Sequence, residues 1–297
     1  MAMDFNNLKE RVLERMVEGM SMVDDSWSKI FKKYDQDGAG LRVAALTGIG
    51  DLPTWDGAAA LTTASMDATG AKDYTYQARG LQVVINKYDA RDIPSLVADA
   101  SRKLGVSVAS TYAEQAYTVL NGAFSSGSYA TADTKALCAA DHATTSTTRS
   151  NAGSAALSHA SLAAAIQALN EWVNFQDQAY PLAMNGERLF LVVPPALFQT
   201  ASEVARSEFT SESLQINAMR GLNIEVVQNP RLTDANDWFV CVDPMVAGGP
   251  LIFWERAPLE VDTVIDQDTK SIKINATFAI ATDVHPQPDG IYGSSVA

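Results

Sequence analysis

The sequence predicts an α+β fold in which one long helix lies against a long C-terminal hairpin. Three observations carry that expectation. Leu96, Ala100, Leu104, Val108, Tyr112, Ala116 and Val119 recur at spacings of three and four, which paints one face of a helix. Residues 259–265 and 271–281 alternate apolar and polar side chains on either side of an Asp-Gln-Asp-Thr-Lys turn, the pattern of a hairpin. Residues 189–193, Leu-Phe-Leu-Val-Val, form an unbroken apolar run closed by Pro194 and Pro195, as in a strand buried on both faces.

The other elements follow in chain order. Phe5, Leu8, Val12 and Met16 mark a short amphipathic helix, and Trp27, Ile30, Phe31 and Tyr34 continue the apolar stripe to Asp35. The remaining faces are polar, so residues 1–35 are expected to be an arm that needs a partner surface. Truncating residues 1–30 is then expected to harm association more than secondary structure. Residues 36–79 are turn-rich (DQDGAG, TGIGDLPTWDG, ATGAKD), with short apolar pieces at 41–46 and 58–63. Their side chains are too small to build a core, so a long two-stranded excursion is expected there, a feature that is usually functional. Residues 80–88 alternate as a strand. Asp92 is placed to cap the long helix, with Pro94 in its first turn and Gly122 as its stop. Over residues 93–121 that helix is roughly 40 Å long. Gly105 inside it marks a bend or a close contact. Residues 123–154 are rich in Ser, Thr, Ala and Gly and hold one hairpin around LCAADHATT. Ser158 or Ser161 caps a second helix over 162–175, and a third runs over 196–206. Short strands are expected at 222–227, 238–242 and 251–254, with the turns NPRL and TDAND among them.

Composition narrows the function. The 297 residues hold 22 Lys+Arg against 35 Asp+Glu, a formal charge of −13, which argues against binding to a phosphate backbone. An acidic wall is still suited to enclosing a polyanion without sticking to it. With 47% hydrophobic residues the chain has ample material for a core. Cys138 and Cys241 supply neither a disulfide framework nor a C-x-x-C site, so they are expected as reduced core residues. The start of the chain lacks a signal-peptide apolar region and no run of 18 apolar residues occurs, so a soluble, reducing setting without a membrane is expected.

No chemistry-bearing constellation emerges. His142, His159 and His285 lack a second ligand at metal spacing. Asp141-His142 is half of an acid/base pair, but no Ser stands in a nucleophile elbow to complete it, and a hydrogen-bonded structural histidine is the plainer reading. Asp35-x-Asp37-Gly38 fails the calcium-loop pattern, with Gly38 at the fourth position and Leu46 at the twelfth. Phosphate-cradling glycine motifs are missing as well. No catalytic residue, metal or cofactor is therefore expected. A polar arm, a Gly-rich excursion, a long helix and a long hairpin cost a monomer order and exposed edges. An assembling subunit completes such pieces against its neighbours.

In their order these segments resemble tailed-bacteriophage major capsid proteins, and among them the Mu-type major head subunit. Nearly the whole chain takes part. RGLQVVINKYDARDIPSLVADASRKLG is similar to the family's strand, acidic turn and long spine helix, and DTKALCAADHATT to its short hairpin ending in a histidine. LSHASLAAAIQAL with RLFLVVPPALFQTASEV is similar to its central helix, strand and Pro-Pro turn. IEVVQNPRLTDANDWFVCVDP is similar to the next strand pair, and VIDQDTKSIKINATFAIATDVHPQPDGIYGSS to the closing hairpin and tail. One departure is that Ala143 and Thr144 follow His142 where the family often has an Asn.

The resemblance implies the phage major-capsid fold. An N-arm spans residues 1–35 and an E-loop 36–79. A P-domain of spine helix and long β-hairpin combines 80–150 with 255–297, and an A-domain covers 151–254. It implies homo-hexamers and homo-pentamers that close into an icosahedral shell around phage double-stranded DNA, with no sequence-specific binding. Separate scaffold, portal and decoration proteins are the further partners it implies. The protein would belong to the virion and be assembled in the host cytoplasm. The E-loop would lie over a neighbour, with Leu52, Pro53, Trp55 and Leu61 as apolar anchors; Lys72 is the loop's lysine, and no cross-link is assigned to it. Leu232, Trp238 and Trp254 are expected in the core. Three rival readings are an encapsulin-like compartment shell, which a bound cargo peptide would identify, a hydrolase using Asp141 and His142, which turnover lost in His142→Ala would identify, and another virion protein such as a minor head or decoration protein, which copy number per particle would identify.

Overall fold

A computed structural model describes residues 8–46, 60, 63, 68–93, 95–127, 129–183, 187–210, 213–245 and 249–296. Helices α1 (Leu8–Met20) and α2 (Trp27–Ile30) lead into β1 (Lys32–Tyr34). The excursion's two strands are β2 (Leu41–Leu46) and β3 (Ala68–Tyr74), paired antiparallel from Leu41 opposite Tyr74. After β4 (Gln77–Asn86) come α3 (Lys87–Asp92) and the long α4 (Leu96–Asn121). Short strands β5 (His142–Ala143), β6 (Thr148–Arg149) and β7 (Ala152–Gly153) precede α5 (His159–Asn170). Then follow β8 (Arg188–Val193), α6 (Phe198–Arg206), β9 (Phe209–Thr210), β10 (Ser213–Ile216), β11 (Asn223–Gln228) and β12 (Trp238–Val242). The chain closes with β13 (Leu251–Ile265), β14 (Ser271–Val284) and β15 (Ile291–Ser294).

Two sheets organise these pieces. The order β1-β13-β14-β4 makes a four-stranded sheet, with the long β13–β14 hairpin at its centre and β4 at an open edge. A five-stranded sheet runs β11-β8-β12-β15-β7. In it β8 is flanked by strands on both sides, and Leu189 to Val193 are all buried, as the unbroken apolar run requires. The last strand, β15, does not stay with the hairpin that the sequence reading grouped it with. It pairs with β12 and β7 in the five-stranded sheet.

Several sequence expectations are corrected. Asp92 ends α3 and does not cap the long helix. The Asn86 side chain accepts the Tyr88 N–H at 2.9 Å and starts a separate short helix, while Ile93, which precedes a proline, leaves the helical region. Residues 251–254 and 259–265 form one strand. Register shifts around Ala257 absorb Pro258, which has no N–H to donate. Helix α5 stops at Asn170, because the Asn170 carboxamide turns to accept the Ala183 N–H. At its start both proposed caps act together. The Ser158 hydroxyl accepts the Ser161 N–H, and the Ser161 hydroxyl accepts the Ser158 N–H.

The largest revision concerns the N-terminal region. Leu8, Val12 and Met16 are buried in the main core with Trp27, Ile30 and Phe31. Helix α1 finds its partner surface on α4 of the same chain. Gly105 marks a close contact there. A Cβ at Gly105 would stand 2.0 Å from the Met16 carbonyl oxygen, and one at Gly19 would stand 2.0 Å from that of Arg102. Only glycine lets the two backbones approach this closely. Truncating residues 1–30 therefore removes core, and the expectation that it spares the fold is reversed.

Candidate functional site

The root of the excursion is the best-built of the predicted contact features. Tyr74 is buried, and its hydroxyl donates to the Val284 carbonyl oxygen at 2.8 Å. Burial drives the Tyr74 phenol well above the ordinary tyrosine range, so it stays a donor. The Lys72 ammonium donates to Asp283 Oδ1 at 2.6 Å and to the Ala130 carbonyl oxygen at 2.9 Å. Burial raises the Asp283 carboxyl, and Lys72 opposes that shift. Leu41, Tyr74, Ile252 and Trp254 form a separate small core beneath the root, and Trp254 Nε1 donates to the Gln36 carbonyl oxygen at 2.8 Å. Two strands thus leave the body from a fixed base. The anchors Leu52, Pro53, Trp55 and Leu61 lie outside the described residues.

The histidine turn is structural in its contacts. His142 is fully buried, its Nδ1 2.9 Å from Asp133 Oδ2 and its Nε2 3.3 Å from the Leu137 carbonyl oxygen. Burial alone would raise the Asp133 carboxyl. Hydrogen bonds with His142, Thr131 and the Lys135 N–H outweigh burial and hold it well below the usual range. Asp141, the partner of His142 in the rival acid/base reading, pairs with Lys135. Across the hairpin Arg149 stacks on Trp172 and pairs with Asp289 at 3.0 Å, and Trp172 Nε1 donates to the same carboxylate. These contacts tie the 131–149 segment to the body and leave His142 no open face for a substrate.

Ties among the helices, the five-stranded sheet and its loops are equally specific. Glu225 on β11 pairs with Lys29 of α2 and with Arg188 of β8. The hydrogen bond from Lys29 lowers its carboxyl most, burial opposes it, and the Arg188 hydrogen bond adds to the lowering. The Tyr117 and Ser26 hydroxyls meet at 3.0 Å, and Asn121 Nδ2 donates to the Arg231 carbonyl oxygen at 3.0 Å. Leu232, Trp238 and Trp254 are core residues. Both cysteines are free and buried, and burial pushes the Cys241 thiol up to about 12, which makes it inert. Among the described residues no group of three or more His, Cys, Asp or Glu could hold a metal ion, and no helix is long and apolar enough to cross a membrane. The Lys72–Asp283 latch and the Asp133 partner of His142 escaped sequence reading because each joins residues far apart or in irregular turns.

The structure thus combines a spine helix with a long hairpin, a second sheet that shares their core, and a two-stranded excursion rooted on the body. Comparison with known proteins gives the family. Residues 70–294 match the family model described as phage capsid protein. The chain belongs to the phage capsid protein family. It is a structural subunit of a phage capsid, which is built from many copies of itself, and it is not an enzyme. The fold is similar to that of the cyanophage P-SCSP1u capsid, with a TM-score of 0.59 and 11% identity over 91% of this chain and 88% of that one. The Ralstonia phage GP4 capsid matches with a TM-score of 0.58 and 10% identity over 92% and 89%. A virus-like particle from Pyrococcus furiosus matches with a TM-score of 0.55 and 11% identity over 98% of both chains. No curated protein sequence matches significantly.

Proposed function

We propose that this subunit forms hexamers and pentamers that close into an icosahedral head around double-stranded DNA. The observation that carries the reading is the family match over residues 70–294, on a fold shared with phage capsids. The same match favours a phage shell over an encapsulin-like compartment. Within the subunit, residues 1–35 act as the N-arm and 36–79 as the E-loop. Residues 80–150 with 255–297 form the P-domain, and 151–254 the A-domain, which β15 completes from the end of the chain. The E-loop reaches a neighbour through Leu52, Pro53, Trp55 and Leu61. Support for this comes from the anchored root at Lys72 and Tyr74, which fixes the base from which the two strands leave the body. Scaffold, portal and decoration proteins act as separate partners, and assembly takes place in the host cytoplasm. The order of the quoted segments supports placement beside the Mu-type head subunits.

Negative-stain electron microscopy of the chain, expressed alone and with a co-expressed scaffold protein, tests the reading. Closed shells, tubes or six-membered rings are expected. Uniform small particles under both conditions would sink it.

A further inference from the structure

Helix α1 carries a second apolar row that its own chain leaves open. Leu13 and Val17 are 47% and 57% exposed. They follow helical spacing, on a flank roughly 100–140° around the helix from buried Val12. Exposed Glu10 and Glu14 border this row, and no ion pair among the described residues holds either. The nearby Lys9–Asp262 pair, at 3.1 Å, places this end of α1 beside β13.

The opposite side of the same helix–sheet layer bears a groove. It lies between α4 and the edge strand β4, encloses about 170 Å³, and is lined by Arg79, Leu81, Leu104, Ser107, Val108 and Phe278 among others. Leu81 is 53% exposed. Arg79 donates through a terminal nitrogen to Gln77 Oε1 at 3.0 Å, but its buried Nε has no acceptor among the described residues. A buried donor left unmade is costly, so an acceptor brought to this groove would be favoured. Exposed Lys103, one helical turn before Ser107, adds a second cation.

One edge of the layer is thus an apolar row with an acidic border, and the other is an apolar groove with a basic border. Two rows facing each other would oppose glutamates, and two grooves would oppose cations. A row facing a groove matches both shape and sign. We propose that the Leu13–Val17 row of one copy docks in the α4–β4 groove of the next, with Glu10 and Glu14 meeting Arg79 and Lys103. Because the two patches differ and sit on opposite edges, the contact is head-to-tail and each copy can take a neighbour on both sides, which gives a ring when the rotation between copies closes. This inference rests on the shell-subunit reading and specifies which surfaces of two copies meet.

Full-length protein carrying Val17→Cys and Leu81→Cys tests it, since both natural cysteines are buried. Particles are oxidised, then denatured and run on a non-reducing gel. A ladder extending past the dimer is expected, and neither single variant should give it. Several results would overturn the inference: no ladder from particles visible by microscopy, a ladder that stops at the dimer, or a link to a different polypeptide. In those cases the shell reading stands. Failure of the unaltered chain to form any particle, alone or with scaffold, removes both. A charge exchange gives a second arm. Glu14→Lys and Arg79→Glu should each cut particle yield about tenfold and restore it when combined, with circular dichroism unchanged. Losses that merely add would also overturn the contact.

Discussion

Helix α1 and the excursion look alike in the sequence, as two segments that stand off from a body, yet they meet different fates. The inner face of α1 buries Leu8, Val12 and Met16 against α4, because two glycines let the backbones touch. The excursion buries Leu41 and Tyr74 at its root, and the next residues outward, Arg42 and Asp73, are exposed. A segment joins the core when its apolar face finds a surface of matching shape within the chain. The excursion has small residues, and two strands alone have little face to bury. What remains open on α1, the Leu13–Val17 row, is available to a neighbour.

That contrast can be broken most severely by deleting residues 1–30. The deletion strips Leu8, Val12, Met16, Trp27 and Ile30 from the core. At about 1.5–3 kcal/mol for each buried side chain, against a total stability of about 5–15 kcal/mol, cooperative unfolding should disappear. A retained thermal transition would return α1 to the status of a free arm. Gly105→Leu should come next. The new side chain meets backbone that cannot yield, so a loss of about 3 kcal/mol is expected in urea denaturation. A loss near zero would mean that α1 swings away from α4 without penalty.

A third region sharpens the comparison because polar contacts hold it with little apolar help. Asp177 accepts hydrogen bonds from Ser146, Thr144 and Thr147, which lower its carboxyl to about 2. A depressed carboxyl contributes stability that is present above its unfolded value, about 4, and fades as pH falls toward 2. Asp177→Asn should remove that acid dependence and speed hydrogen exchange at the Ser146 N–H at neutral pH. Unchanged exchange would show that the turn holds itself. The smallest effect on stability, within about 0.5 kcal/mol, is expected for Trp55→Ala, while particle yield falls. Normal yield would remove Trp55 from the proposed contact.

Much of the fold was legible because its elements follow simple periods. The spine helix, the closing hairpin, the run at 189–193 and the serine caps of α5 all announce themselves locally. The candidate site was less legible. Lys72 and Asp283 stand 211 positions apart, so no spacing rule pairs them. His142 sits beside Asp141 in sequence, yet its ring meets Asp133, because the turn between them folds back.

By itself the sequence determined the periodic elements, the acidic charge and the family. Each of these follows from local residue order or from composition. Only the tertiary structure decided that α1 belongs to the core, that β15 leaves the hairpin for the second sheet, and that one edge of the spine layer is acidic-bordered where the other is basic-bordered. The physical reason is that burial depends on which surfaces the folded chain brings together. A glycine that permits backbone contact and a strand that crosses between sheets have no local signature.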